Sequence, residues 1–156
     1  MNNDTRLAVG VHILALLSLA REEHLTSELL ARSVNTNPVV IRRLISQMKK
    51  AGLIEVRPGV GGALLHRPPE TITLLEVYQA VVPQPKARPF CLHQNPNEKC
   101  FVGRNIHDAL ELPFAKVNQA MMASLATITV EDVASFINSR TGKYRVEQGP
   151  ATSDQM

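Results

Sequence analysis

Apolar residues crowd the start of the chain. Leu7, Val9, Val11, Ile13, Leu14, Leu16, Leu17 and Leu19 predict a helix over 5–21 that is apolar on nearly every side. Such a helix has no solvent face and must be covered all round, which in a small protein points to a partner subunit. A second helix starts at Thr26 or Ser27, either of which makes a good N-cap, and runs to about Val34. Asn35-Thr36-Asn37-Pro38 follows: Asn37 is an N-cap candidate and Pro38 takes the first helical position, where its missing N–H costs nothing. Val40, Ile41, Leu44, Ile45 and Met48 then recur at helical spacing through Lys50, and Gly52 ends that helix as a left-handed cap.

Beyond Gly52 the period changes. Residues 53–57 alternate like a strand, 58–62 (Pro-Gly-Val-Gly-Gly) read as a turn, and 63–66 read as the returning strand. Two short helices joined by a four-residue turn and followed by a glycine-rich hairpin predict a winged helix-turn-helix. Thr73 and Glu76 have the spacing of a capping box, opening a helix to about Val82. Residues 83–103, with prolines at 83, 85, 89 and 96, read as a loop long enough to be functional or disordered.

A long helix is then predicted over 104–126, with a stripe of Ile106, Leu110, Phe114, Val117, Met121 and Leu125. The stripe packs either within the subunit or as a seam between two subunits. The seam is favoured, since so short a chain has little else to cover it. Pro113 should kink or break this helix. Thr129 caps a last helix to about Arg140, and a polar tail follows. The fold class is therefore mainly α, a winged helix-turn-helix with a small β-hairpin wing and a long C-terminal dimerisation helix. Its divisions are a DNA-binding domain over 1–67, a connecting helix and cysteine-containing loop over 68–103, dimerisation helices over 104–140 and a flexible tail over 141–156.

Composition adds little until charge is placed along the chain. From Met1 to Arg67, nine Lys and Arg face five Asp and Glu, whereas from Pro68 to Met156 eight face nine. Between Arg32 and Arg67 there are seven basic residues and a single acid, Glu55. A basic excess confined to the predicted winged helix is the footprint of a polyanion binder, and here of double-stranded DNA. The first turns of a recognition helix reach base edges from the major groove. Those positions hold Asn37, Val39, Val40, Arg42 and Arg43. An arginine can fork onto guanine and a valine can meet a thymine methyl. Asn35, Thr36 and Ser46 are short donors suited to phosphates, and Lys49 and Lys50 near the helix carboxyl end are phosphate contacts or partners of the helix dipole. Arg57 stands at the base of the wing, and Gly59, Gly61 and Gly62 let its tip enter a minor groove without side-chain clash.

Other classes fare worse. His12, His24, His66, His93 and His107 are scattered, and no nucleophile–base pairing or phosphate-binding glycine loop has a recognisable spacing, so no enzyme is expected. A winged helix used only for protein interaction is the remaining rival. The apolar stretch behind Arg6 is similar to a signal-peptide core, but Asp4 offsets Arg6 and His12 interrupts the run. It is also too short to span a bilayer, so the cytoplasm and no membrane association are expected.

The segment from Asn35 to Leu44, the run Lys49-Lys50-Ala51-Gly52-Leu53 and the wing from Arg57 to Gly62 resemble the Rrf2 family of bacterial regulators. That is the IscR/NsrR/CymR type, and its YwnA-like branch is the most similar. The likeness continues through residues 74–78 and 95–103 and covers about 5–138. It implies a homodimer, the long helix crossing to the other subunit, bound to a near-palindromic promoter site. Repression is likewise an expectation of the family.

Several members of that family hold an iron–sulfur cluster on three cysteines before the long helix. This chain offers only Cys91 and Cys100 there, with His93 and His107 as further donors, so no cofactor or metal is expected. A thiol switch suits these residues better. Cys100 precedes a helix amino terminus, beside Lys99 and near Arg104, and Cys91 is close enough in sequence to resolve an oxidised Cys100 as a disulfide. Alternatively Cys100 pairs with its mate in the other subunit, or is a half-buried cysteine that closes the loop onto the core, and sensing through an iron–sulfur cluster or a small ligand stays open.

Overall fold

The computed structural model describes residues 5–20, 23–59, 61–83 and 89–141. The elements in order are α1 (Arg6–Ala20), α2 (Ser27–Val34), α3 (Pro38–Lys50), β1 (Ile54–Val56), β2 (Ala63–Leu65), a 3-10 turn (Pro69–Thr71), α4 (Leu74–Val81), α5 (Phe101–Ala126) and α6 (Val130–Thr141). Arg21, Val60, loop residues 84–88 and the tail beyond Thr141 lie outside the described residues.

The apolar first helix is the hub of the core. Gly10, Ile13, Leu14, Ala15, Leu16, Leu17 and Ala20 are buried, while Leu7, Val9 and Val11 are partly covered. α2, α3, α4, α6 and the hairpin all pack against α1. Their apolar faces supply the rest of the core: Leu30, then Ile41, Leu44 and Met48, then Val77 and Val81, with Val130. Gly10 permits one of these approaches, because a Cβ there would lie 3.1 Å from Val77 Cγ1.

Local signals set the element ends. Of the two candidate caps for α2, Thr26 is the one used, its hydroxyl accepting from the Leu29 N–H at 3.3 Å. Asn35 follows α2 in the left-handed conformation, with the Asn35 and Thr36 N–H groups returning to the Arg32 and Ala31 carbonyls. Asn37 caps α3 by accepting from the Val39 N–H at 2.8 Å. Gly52 (φ +71°) terminates α3 with the same pair of returning bonds. The Thr73–Glu76 capping box forms as spaced.

Two tertiary ties escaped the sequence reading. Leu25 pairs antiparallel with Ala63, the two exchanging N–H···O=C bonds of 3.1 and 2.8 Å, so the wing root is stitched to the α1–α2 connection. Thr73 likewise bridges Thr129, joining the start of α4 to the start of α6.

Two expectations need correction. α5 begins at Phe101 with Cys100 as its N-cap, three residues before the predicted start. It then runs unbroken through Pro113. Pro113 lies on an exposed stretch, where water can serve the carbonyl that loses its amide partner. No residue of α5 is fully buried, and Val117 in the middle of the stripe is 45% exposed. The loop covers part of the remainder: Phe90 exchanges two hydrogen bonds with the Asn118 side chain (3.3 and 2.9 Å), and its ring meets Phe114.

Candidate nucleic-acid interface

Because Ile41, Leu44 and Met48 face the core, the helical period turns Val39, Arg43, Ser46 and Lys50 outward. Arg42 and Lys49 take the flank toward the hairpin, and Val40 takes the opposite flank. Val39 and Val40 are 64% and 43% exposed, which leaves two large aliphatic side chains in water at the first turn of the helix. Arg42, Arg43, Ser46, Lys49 and Lys50 are exposed around them. Asn35 and Asn37 are exposed too, but their first duty is structural, as the left-handed stop of α2 and the cap of α3. Thr36, between them, is half-buried.

The wing stands beside α3. β1 and β2 pair antiparallel, with Ile54 opposite Leu65 and Val56 opposite Ala63. Arg57, expected at the base of the wing, instead follows the last paired residue of β1 and is exposed with Gly59 and Gly61 on the connection between the strands. Gly62 is different: it lies at φ +87°, and a Cβ there would come within 2.8 Å of His24 Cβ. It is therefore required where the wing folds against the α1–α2 connection. A cleft of about 320 Å³ separates α3 from the wing, lined among others by Arg42, Ser46, Lys49, Val56 and Gly62. The sequence-predicted residues of α3 and the wing thus share one face.

Sequence reasoning missed the contacts behind Arg42. Its Nη2 lies 2.7 Å from Glu28 Oε1, and its Nε donates to Ser27 Oγ at 3.2 Å. The Arg42 guanidinium holds the Glu28 carboxyl below its ordinary value. No local signal could have found this pair, since the partners are 14 residues apart on different helices.

The cysteine loop forms a second locus. Cys91 and Cys100 are free and exposed. The backbone N–H groups of Gly103 and Val102, at the head of α5, draw the Cys100 thiol below its ordinary value of 9.0. Of the two causes expected, the helix amino terminus is the one at work, and the neighbouring Lys99 and Arg104 are not among the causes. Asn97 frames the turn, accepting from the Cys100 and Lys99 N–H groups, and its carbonyl sits where a side chain at Gly103 would project. His93 and His107 meet edge to face at 5.5 Å, with His107 Nε2 on the His93 carbonyl at 2.8 Å. Among the described residues no three His, Cys, Asp or Glu side chains gather as metal ligands, and the chain has only two cysteines. The donor set does not fit an iron–sulfur cluster.

The fold and its basic face define a winged-helix DNA-binding regulator. The chain belongs to the Rrf2 family, whose model, described as an iron-dependent transcriptional regulator, matches residues 3–135. It is 48% identical over 134 residues to YwnA of Bacillus subtilis (strain 168), described as an HTH-type transcriptional regulator, covering 86% of this chain and 98% of that protein. A crystal structure described as a DNA-binding protein is 45% identical, with a TM-score of 0.66 over 82% of this chain and 97% of the other. CymR, the global cysteine regulator of B. subtilis, shares the fold at 21% identity and a TM-score of 0.63, over 86% and 97% of the two chains. The protein is thus a DNA-binding transcriptional regulator and not an enzyme. No helix of the described residues is long and apolar enough to cross a membrane.

Proposed function

We propose that the chain acts in the cytoplasm as a homodimeric repressor, reading a near-palindromic promoter site with α3 and the wing and responding to oxidation at Cys100. The observation that carries the DNA reading is the outer face of α3. Val39 and Val40 are held out of the core beside Arg42 and Arg43, and this pairing of apolar contact and forked donors suits thymine methyls and guanine edges. Ser46, Lys49, Lys50, Asn35 and Thr36 flank that face as phosphate contacts, with Asn37 at its leading edge. Arg57 and the glycines of the wing meet the neighbouring minor groove.

Dimerisation rests on two uncovered apolar surfaces. α5 buries no residue fully within its own subunit. A groove of about 710 Å³ also runs along α1, lined by Leu7, Val11, Leu16 and Leu19 with Val133 and Ile137 of α6. The partner's α5 would cover both surfaces, and two recognition helices would then meet half-sites roughly 34 Å apart.

For the switch, the Cys100 thiolate attacks a peroxide oxygen, becoming a sulfenic acid as the other oxygen leaves as water or alcohol. A second thiol, Cys91 or the partner's Cys100, then displaces water and forms a disulfide. The test is fluorescence anisotropy on fragments of the gene's own upstream region, with reduced and peroxide-treated protein at two salt concentrations. Tight, selective binding that weakens on oxidation in wild type but not in Cys100→Ser is expected. Selective binding indifferent to oxidation would discard the switch, and no selective binding in either state would overturn the DNA reading.

A further inference from the structure

Arg42 is not a loose surface cation. Its guanidinium is one corner of a closed ring of three hydrogen bonds. Nε donates to Ser27 Oγ at 3.2 Å and Nη2 to Glu28 Oε1 at 2.7 Å, while the Ser27 hydroxyl donates to Glu28 Oε2 at 3.1 Å. Every donor in the ring has an acceptor. Both ends of the ion pair are 58% exposed, so it adds little to folding stability. Its value must be sought in what it does to the guanidinium.

Both contacts engage one edge of the guanidinium, Nε with Nη2. The other edge, Nη1 with the second Nη2 hydrogen, is the one that forks end-on onto two acceptors. An arginine with four free torsions must be frozen to make such a fork, and freezing opposes binding. Here the torsions are set in advance from α2, and the plane of the fork is set with them. Thr26 in turn fixes the two supporting residues by capping α2, which places Ser27 and Glu28 in its first turn.

We propose that Ser27 and Glu28 are positioning residues that aim the outer edge of Arg42 at a guanine on the wing side of the recognition helix. They set sequence discrimination rather than general affinity. The proposal rests on reading α3 as the recognition helix. It assigns α2 a part in specificity beyond packing against α3.

The experiment uses the full chain and a duplex recovered from a random library by in vitro selection with wild-type protein. Affinities of wild type, Glu28→Ala, Glu28→Gln, Arg42→Ala and Arg43→Ala are measured on that duplex, on its single-base-pair variants and on random duplex. A well-made guanine fork discriminates by roughly 5- to 150-fold. Arg42→Ala should abolish the preference at one guanine per half-site. Glu28→Ala should weaken the same preference about fivefold to tenfold, with random-duplex affinity moving less than about threefold. Glu28→Gln, which keeps an acceptor, should retain an intermediate preference. Thermal melting confirms that each variant is folded.

If Glu28→Ala keeps the full guanine preference, or tightens binding to the selected duplex, Glu28 is a competitor or a bystander and the proposal falls. If Arg42→Ala and Arg43→Ala both bind every duplex as wild type does, the recognition-helix reading falls instead.

Discussion

Gly62→Ala separates two costs that the wing imposes on its sequence. Gly62 has φ +87°, a region that L side chains rarely adopt, and placing alanine there costs about 1–2 kcal/mol. The new methyl would also lie 2.8 Å from His24 Cβ, 3.0 Å from the His24 carbonyl carbon and 3.2 Å from its oxygen. Two of those three atoms are backbone, so the contact cannot be relieved by a rotamer change. It must push the wing root away from the α1–α2 connection, straining the Leu25–Ala63 pair whose bonds measure 3.1 and 2.8 Å. Overpacking of this kind costs about 1–3 kcal/mol, so the whole substitution should cost roughly 2–5 kcal/mol.

Gly61→Ala is the control. Gly61 has φ +71° and nothing within 4 Å of its projected Cβ, so it should show only the conformational cost, about 1–2 kcal/mol. Guanidinium denaturation at one fixed protein concentration gives both values, because dimerisation would otherwise make them concentration-dependent. A Gly62→Ala variant within about 0.5 kcal/mol of Gly61→Ala would refute the steric argument. It would mean that the His24 segment yields freely and that the wing is not anchored as described.

Three further outcomes are expected. Val117→Glu puts a charge into the seam proposed for α5 at a position 45% exposed in the subunit, so the chain should stay folded by circular dichroism. Sedimentation should show the dimer weakened at least about thirtyfold, as for an unpaired buried interface charge. Thr73→Ala removes half of the α4 capping box and should cost about 0.5–2 kcal/mol at neutral pH. Burial pushes the Glu76 carboxyl up, but the Thr73 N–H, the Arg67 guanidinium and the Thr73 hydroxyl outweigh it, leaving a net depression from 4.5. A depressed acid stabilises the fold fully above its unfolded value and loses that contribution as pH falls through the lower folded value. Denaturation against pH should therefore show wild type declining below about 4.5, and Thr73→Ala declining less steeply. For Cys100, iodoacetamide labelling against pH in Cys91→Ser should show a reactivity midpoint below 9.0, whereas a midpoint at or above it would remove the physical basis of the switch.

Most of the fold was legible because its signals are local. Asn37 before Pro38, Gly52 after α3 and the threonines before α2 and α4 act within one turn, and each forms the bond its position predicts. The register of α3 was equally readable, since Ile41, Leu44 and Met48 leave only one face for Val39, Arg43 and Lys50. A break at Pro113 was not made because the cost of proline in a helix depends on whether the freed carbonyl is buried, and sequence does not reveal exposure.

By itself the sequence determined the class of the molecule: an apolar first helix, two short capped helices, a glycine hairpin and a long amphipathic helix, with basic charge gathered over the second and third of these. These follow from periodicities and caps whose energies act within a few residues. Only the tertiary structure decided which partners the exposed groups have. It joined Arg42 to Glu28 across 14 residues and pressed Gly62 against His24, and it seated Asn97 beneath Gly103. Those contacts depend on how whole elements pack, where the energy is spread over the α1-centred core, and no short stretch of sequence carries it.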